Sequence, residues 1–200
     1  MGYSGGFRPH PRISYLGAAP TGVASEAEYL EIGLAEQRDP AELRTAIDAA
    51  LPTGLDILEI VPAGTGSLAE RLEASAWQIA LPGVSSATLA AAMDAVLAAT
   101  ELPVERRTKD GRRVVDVRPA IVSLRQRESR PDQHAIMDVV VRQATPAVRP
   151  DDVLAAMWIV AGLALDVPPY AVRLAQGPLD ETGTVSDPLA PDRPPAAAAS

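Results

Sequence analysis

The sequence predicts an α+β fold in two lobes, and three observations carry that prediction. Residues 75–176 read as strand, helix, strand hairpin, strand, helix, strand. Residues 12–61 read as strand, strand, helix, strand. Between them, Pro62-Ala63-Gly64-Thr65-Gly66 has the composition of a linker. The longer order is the β-α-β-β-α-β of a ferredoxin-like sandwich. The shorter would match it if a strand and a helix came first. Two ferredoxin-like lobes in tandem are therefore expected, an incomplete one over 1–63 and a complete one over 64–176, followed by a Pro/Ala-rich tail over 177–200 expected to be disordered. A half-lobe cannot cover its own sheet face. The sequence accordingly raises the expectation of a truncated start, with Met1 an internal methionine of a longer protein.

The elements follow in order. Arg12 to Ala18 suits a short strand, and Pro20-Thr21-Gly22 a turn. Leu30, Ile32 and Leu34 alternate with Tyr29, Glu31 and Gly33, the period of a half-buried strand. Asp39 can cap a helix that has Pro40 at its first position and Glu42 completing the box, with Leu43, Ala46, Ile47, Ala50 and Leu51 as its apolar stripe. Leu55 to Val61 reads as a further strand. Ser67 and Glu70 cap a short helix, and Trp77, Ile79 and Leu81 mark a strand. Ser85 or Ser86 opens a helix bearing Leu89, Met93, Val96 and Leu97. Val104–Lys109 and Arg112–Arg118 form a hairpin across Asp110-Gly111. Strand signal returns over Ile121–Arg127 and Ile136–Arg142. Pro150, Asp151 and Asp152 open the last helix, whose stripe is Val153, Met157, Val160 and Ala161, and Tyr170–Ala175 reads as the last strand. Trp77 and Trp158 both fall on apolar stripes and are expected in the core.

Composition removes several chemistries. With no Cys, the chain has no disulfide, thiolate zinc site, iron–sulfur cluster or cysteine nucleophile of its own. Its two histidines, His10 and His134, have no carboxylate at ligand spacing, so no metal site and no cofactor are expected. Gly64-Thr65-Gly66 lacks the lysine of a phosphate-binding loop. No apolar run is long enough for a membrane span and no signal-type stretch opens the chain, so a cytoplasmic location is expected.

The net charge of −8 is unevenly distributed. Arg106, Arg107, Lys109, Arg112, Arg113, Arg118, Arg125, Arg127 and Arg130 are nine of the eighteen basic residues, opposed locally only by Asp110, Asp116 and Glu128. That stretch carries +6 and the remainder −14. Such segregation suits an anionic ligand or partner, and phosphate contact with RNA is the expectation, through Arg106, Arg107, Lys109, Arg112, Arg113 and Arg118. Strand alternation sends these side chains to differing faces, so not all can converge. A charged hairpin that merely protects a sheet edge is the structural alternative. With one Phe in the chain, base stacking is poorly supported and backbone recognition fits better.

A second cluster lies near the N-terminus. Pro9-His10-Pro11 is stiff, with Arg8 and Arg12 beside it. It could hold a phosphate or carboxylate, His10 could act as general acid or base, or the stretch could be only a structural turn. Tyr3, Phe7, Arg8, His10, Arg12 and Ser14 are the candidate ligand- or partner-binding set, and His10 is the weak catalytic candidate.

The stretch Tyr3-Ser4-Gly5-Gly6-Phe7-Arg8-Pro9-His10-Pro11-Arg12-Ile13-Ser14, with Pro20-Thr21-Gly22-Val23-Ala24-Ser25-Glu26-Ala27-Glu28-Tyr29-Leu30 and Val115-Asp116-Val117-Arg118-Pro119, resembles the radical SAM-linked protein family. The resemblance runs over about 1–176. It implies a domain of unknown function found alone or fused behind a radical SAM module, and normally preceded by the strand and helix missing here. The cluster cysteines of a radical SAM enzyme are absent, so the chain is expected to serve a separate radical SAM enzyme as a non-catalytic accessory, one that could present RNA to it. A hydrolytic or RNA-processing enzyme using His10, and a structural adaptor for an acidic protein surface, are the alternatives.

Overall fold

The computed structural model describes residues 2–3, 11–64, 66–109, 111–128 and 134–194. Nine strands and four helices are described, in a mixed α+β arrangement. They are β1 (Ile13–Leu16), β2 (Ala24–Ser25), β3 (Tyr29–Ile32), α1 (Pro40–Asp48), α2 (Leu68–Arg71), β4 (Ala74–Leu81), α3 (Ser86–Ala98), β5 (Pro103–Thr108), β6 (Gly111–Asp116), β7 (Ile121–Arg127), β8 (Ala135–Arg142), α4 (Pro150–Ala161) and β9 (Tyr170–Gly177). The chain divides into two compact units that interleave in sequence. The first takes Met1–Ala18, Tyr29–Glu70 and Pro188–Ser200, the second Ala19–Glu28 and Arg71–Asp187.

The second unit is built on one sheet, in the order β2-β9-β4-β8-β7. β4 is antiparallel to both β8 and β9, β7 is antiparallel to β8, and β2 adds a short parallel edge to β9. Alternation decides which face is covered. Trp77, Ile79 and Leu81 pair with Val139, Met137 and Ala135, and all six are buried. They meet Leu89, Ala92, Met93 and Val96 of α3 and Val153, Leu154, Ala156 and Met157 of α4 in a single core. Ser85 caps α3, its Oγ accepting from Thr88 N at 3.1 Å, and Gly162 ends α4 in the left-handed conformation at φ 65°. The stripe of α4 runs out before its last turn: Trp158 is 62% exposed and Val160 is 37% exposed. Trp158 is therefore not a core residue, whereas Trp77 is.

A buried arginine fastens the Ala19–Glu28 segment to this sheet. Arg173 of β9 donates to the Glu28 carboxylate and to Ser25 Oγ, and its guanidinium lies 5.4 Å from the Trp77 ring centre. Gln176 Nε2 donates to the Ala27 carbonyl at 2.7 Å. The charge on the core side of the sheet is thus paired rather than stranded.

The predicted hairpin exists, but it forms its own two-stranded sheet, β5-β6, outside the main one. β7 and β8 are the strands that join the main sheet. Thr108 pairs with Gly111, so β5 ends and β6 begins one position earlier than the Asp-Gly signal suggests. Gly111 takes φ 122°, a conformation that side chains rarely adopt, which fits a glycine at the turn's exit.

The first unit differs most from its expected form. β1 and β3 pair antiparallel, and Asp39 Oδ1 caps α1 by accepting from Ala41 N and Glu42 N at 2.9 and 3.0 Å. Yet α1 buries no residue. Leu55–Val61 is not a strand. The backbone of Ile57 is claimed by α1 side chains: Arg44 Nε donates to its carbonyl and Asp48 Oδ1 accepts from its N–H, both at 2.7 Å. A residue whose two main-chain groups are so engaged has none left for a strand partner.

Where composition predicts a disordered tail from residue 177, residues 178–194 carry defined contacts. Leu179 and Val185 bridge, and Asp180 Oδ1 accepts from Thr182 N, Thr182 Oγ1 and Thr184 N. Arg193 grips the Glu59 carboxylate with two hydrogen bonds of 2.7 and 2.5 Å. Residues 195–200 lie outside the described residues.

The Asp180 turn yields a test. Its hydrogen bonds, that from the Thr182 hydroxyl first, hold the carboxyl below its ordinary value of 3.8. A depressed folded pKa means that the turn's contribution is present above the unfolded value and is lost as pH falls through the folded one. NMR titration of the Asp180 side chain should show a midpoint below that of a free aspartate, and Thr182→Val should raise it. An unshifted midpoint would mean the turn does not persist in solution.

Candidate functional site

The basic residues do not act as one patch, and the register of β5-β6 explains why. Directly opposed residues share a face. Val104 lies opposite Val115 and both are buried, so Arg106 and its partner Arg113 are on that inner face. Glu105, Arg107, Arg112 and Val114 occupy the outer face, where Val114 is 63% exposed.

Two arginine pairs thus stand in direct opposition, Arg106 with Arg113 and Arg107 with Arg112. Like charges so placed repel. One member of each pair is neutralised. Arg106 holds Asp152 bidentately, Nε to Oδ1 at 2.6 Å and Nη2 to Oδ2 at 2.5 Å, with both side chains largely buried. Arg112 Nη1 meets Glu105 Oε1 at 3.0 Å in solvent. The other members, Arg107 and Arg113, are exposed, as is Lys109 at the loop, and none of the three has a partner among the described residues.

Arg106 and Arg118 carry structural duties that their sequence position does not reveal. Asp152 sits in the first turn of α4, where its carboxylate suits the helix dipole and accepts from Arg149 N at 2.6 Å. Arg106 therefore ties the hairpin to that helix end. Arg118 satisfies orphan carbonyls at the end of α3, Nε donating to Ala99 O at 3.0 Å and Nη2 to Leu97 O at 3.4 Å. Of the six residues expected to meet RNA, the structure leaves Arg107, Lys109 and Arg113 as exposed cations without an ion pair, Arg112 as a solvated pair, and Arg106 and Arg118 as braces.

The N-terminal cluster is described only at its base. Tyr3 and Pro11 form a bridge, Gly2 N donates to Gly33 O at 2.6 Å, and Gly33 N donates to Arg12 O at 2.7 Å. A Cβ on Gly33 would stand 2.8 Å from that of Arg12, so the close approach requires glycine. Tyr3, Arg12 and Ser14 are exposed on this stem. Phe7, Arg8 and His10, and with His10 the catalytic candidate, lie outside the described residues, as does Arg130 of the basic stretch.

Sequence reasoning missed the face of the main sheet turned away from α3 and α4. Gln78, Ala80, Ile136 and Asp138 alternate onto it, with Arg125 and Arg127 from β7 and Tyr170 from β9. The period-two pattern of each strand was the available signal, but it shows no inter-strand register. Among the described residues, no group of three His, Asp or Glu gathers as a metal site, and no helix is long and apolar enough to cross a membrane.

A family model described as "Uncharacterized protein conserved in bacteria (DUF2344)" matches residues 1–150. No curated protein and no solved structure matches the chain.

The divided roles of the arginines predict divided effects. Arg106→Ala strands Asp152 and should lower unfolding stability by about 3 kcal/mol, as breaking a buried pair does. Arg107→Ala and Arg113→Ala should stay within about 0.5 kcal/mol of the parent. Urea denaturation of the three variants measures both, and equal losses would contradict the assignment.

Proposed function

We propose that this chain, which belongs to the family of uncharacterized proteins conserved in bacteria (DUF2344), is a non-catalytic accessory of a separate radical SAM enzyme that holds RNA by its phosphates on the β5-β6 hairpin. The observation that carries the phosphate reading is the hairpin register. It opposes arginine to arginine twice and leaves Arg107 and Arg113 without an ion pair among the described residues. A hairpin that only needed a charged edge would gain more from cross-strand pairs of opposite sign. An arrangement that costs stability in the free protein is offset when an anion lies across it.

The enzyme partner is supported by the resemblance of residues 3–14 and 20–30 to radical SAM-linked proteins. The fold reading that goes with it takes the second unit as a ferredoxin-like lobe, for which the β9-β4-β8-β7 order with α3 and α4 on one face speaks.

Anisotropy titration of a labelled single-stranded RNA across a salt series tests the phosphate contact. Affinity should fall steeply with salt. Arg107→Ala or Arg113→Ala should each flatten the log–log slope by roughly 0.7, the amount that one neutralised phosphate adds to the slope on a single strand. Co-purification with a radical SAM enzyme of the same genome tests the partner. Salt-insensitive or absent RNA binding together with no enzyme association would remove the proposal.

A further inference from the structure

We infer that the β5-β6 hairpin is a ribbon that enters a groove of base-paired RNA, one opened by a bulge or internal loop, with a phosphate chain on each of its two faces. This deepens the RNA reading above, from phosphate contact to the form of RNA that makes it, and rests on that reading.

The hairpin is rooted at one end and free at the other. At the root, Val104 and Val115 are buried in the core of the second unit, and Arg106 is fastened to Asp152 of α4. Beyond the root, both faces are open. Arg113 stands on the same face as Val104 and Val115, yet it is exposed. Arg107 and Arg112 are exposed on the other face, and so is Lys109, directly after β5. Arg107 and Arg113 have no ion pair among the described residues. These two available arginines therefore lie on opposite faces of a projecting two-stranded ribbon.

That placement decides which ligand they fit. A phosphate chain lying along one face meets one of the two arginines. A single strand reaches both only by bending round the end of the ribbon, which orders a flexible chain at an entropic cost. Two phosphate chains facing each other across a groove meet both at once, with the ribbon between them. A two-stranded ribbon fits a groove as wide as the major groove of B-form DNA, about 12 Å. The corresponding groove of regular A-form RNA is deep and narrow. A bulge or internal loop interrupts the paired stack and lets that groove open. The net charge of −8 keeps the rest of the molecule from adding general affinity for a polyanion, so the fit of the ribbon decides what is held.

The test measures the anisotropy of three labelled RNAs of equal length with the full chain at one salt concentration. They are an unstructured strand, an uninterrupted stem and a stem with an internal bulge. The parent should bind the bulged stem several-fold more tightly than either of the others. The deciding variant moves one cation across the ribbon at constant net charge. Arg113→Ala combined with Val114→Arg removes the inner cation and adds one to the outer face, at a position already 63% exposed. It should hold the single strand at least as well as the parent and lose the preference for the bulged stem. Arg113→Lys, which keeps a charge on the inner face, should keep the preference. Equal binding of bulged stem and single strand by the parent, or a preference that survives the double variant, overturns the groove and leaves phosphate binding standing. An uninterrupted stem bound as tightly as the bulged one overturns the opened groove. A DNA duplex bound more tightly than the bulged stem, or failure of every RNA to bind, overturns the RNA reading and this inference together.

Discussion

Strict alternation along β4 and β8 is the constraint on which the second unit depends. Trp77, Ile79 and Leu81 can lie against α3 and α4 only if Gln78 and Ala80 turn away, and the same holds for Met137 and Val139 against Ile136 and Asp138. A slip of one residue would drive Asp138 and Gln78 beneath two apolar helices, so the core penalises every register but one. The polar composition of the other face is therefore inherited from core packing, while the row in which its residues meet is set by pairing with β7 and β9. Arg173 is a charge on the covered side, and it is tolerated because Trp77, Ser25 and Glu28 surround it.

Charge in this molecule divides into structural and available parts. The local surplus of the 106–130 stretch overstates what a ligand could use. Arg106 belongs to Asp152, Arg118 to the end of α3, Arg127 to Asp138 and Arg112 to Glu105. Each of the first three bonds organises a different junction: hairpin to helix, helix to strand, strand to strand. Among the described residues, what remains for a ligand is Arg107, Lys109, Arg113 and Arg125, a smaller set that owes its reach to the positions of the others.

Much of this was legible in sequence because it is local. Capping by Asp39 and Ser85, the α3 stripe at Leu89, Met93 and Val96 though not Leu97, which is exposed, the alternation in β4 and β8, and the existence of the hairpin all lie within a few residues of the signals that encode them. The failures share a physical cause, that the deciding partner is remote in sequence. Leu55–Val61 is apolar enough to read as a strand, but Arg44 and Asp48 take the Ile57 backbone first. Residues 178–194 look compositionally loose, yet Arg193 finds Glu59 across 134 positions. Trp158 lies within the apolar run of α4, but the helix outruns the surface it packs on. Of the candidate site, composition located the hairpin cations and not their unequal roles, and it gave no sign of the sheet face, whose members come from four strands.

The hairpin offers cations on a narrow ribbon, with Val114 as an exposed large apolar residue, so the proposed phosphate contact would position a chain without reading its bases. β7 follows the hairpin closely in the chain, beginning at Ile121 where β6 ends at Asp116, and it is an edge strand of the main sheet. Arg125 and Arg127 on this edge discourage pairing with another strand, so the cations nearest the hairpin also protect the sheet that it stands beside.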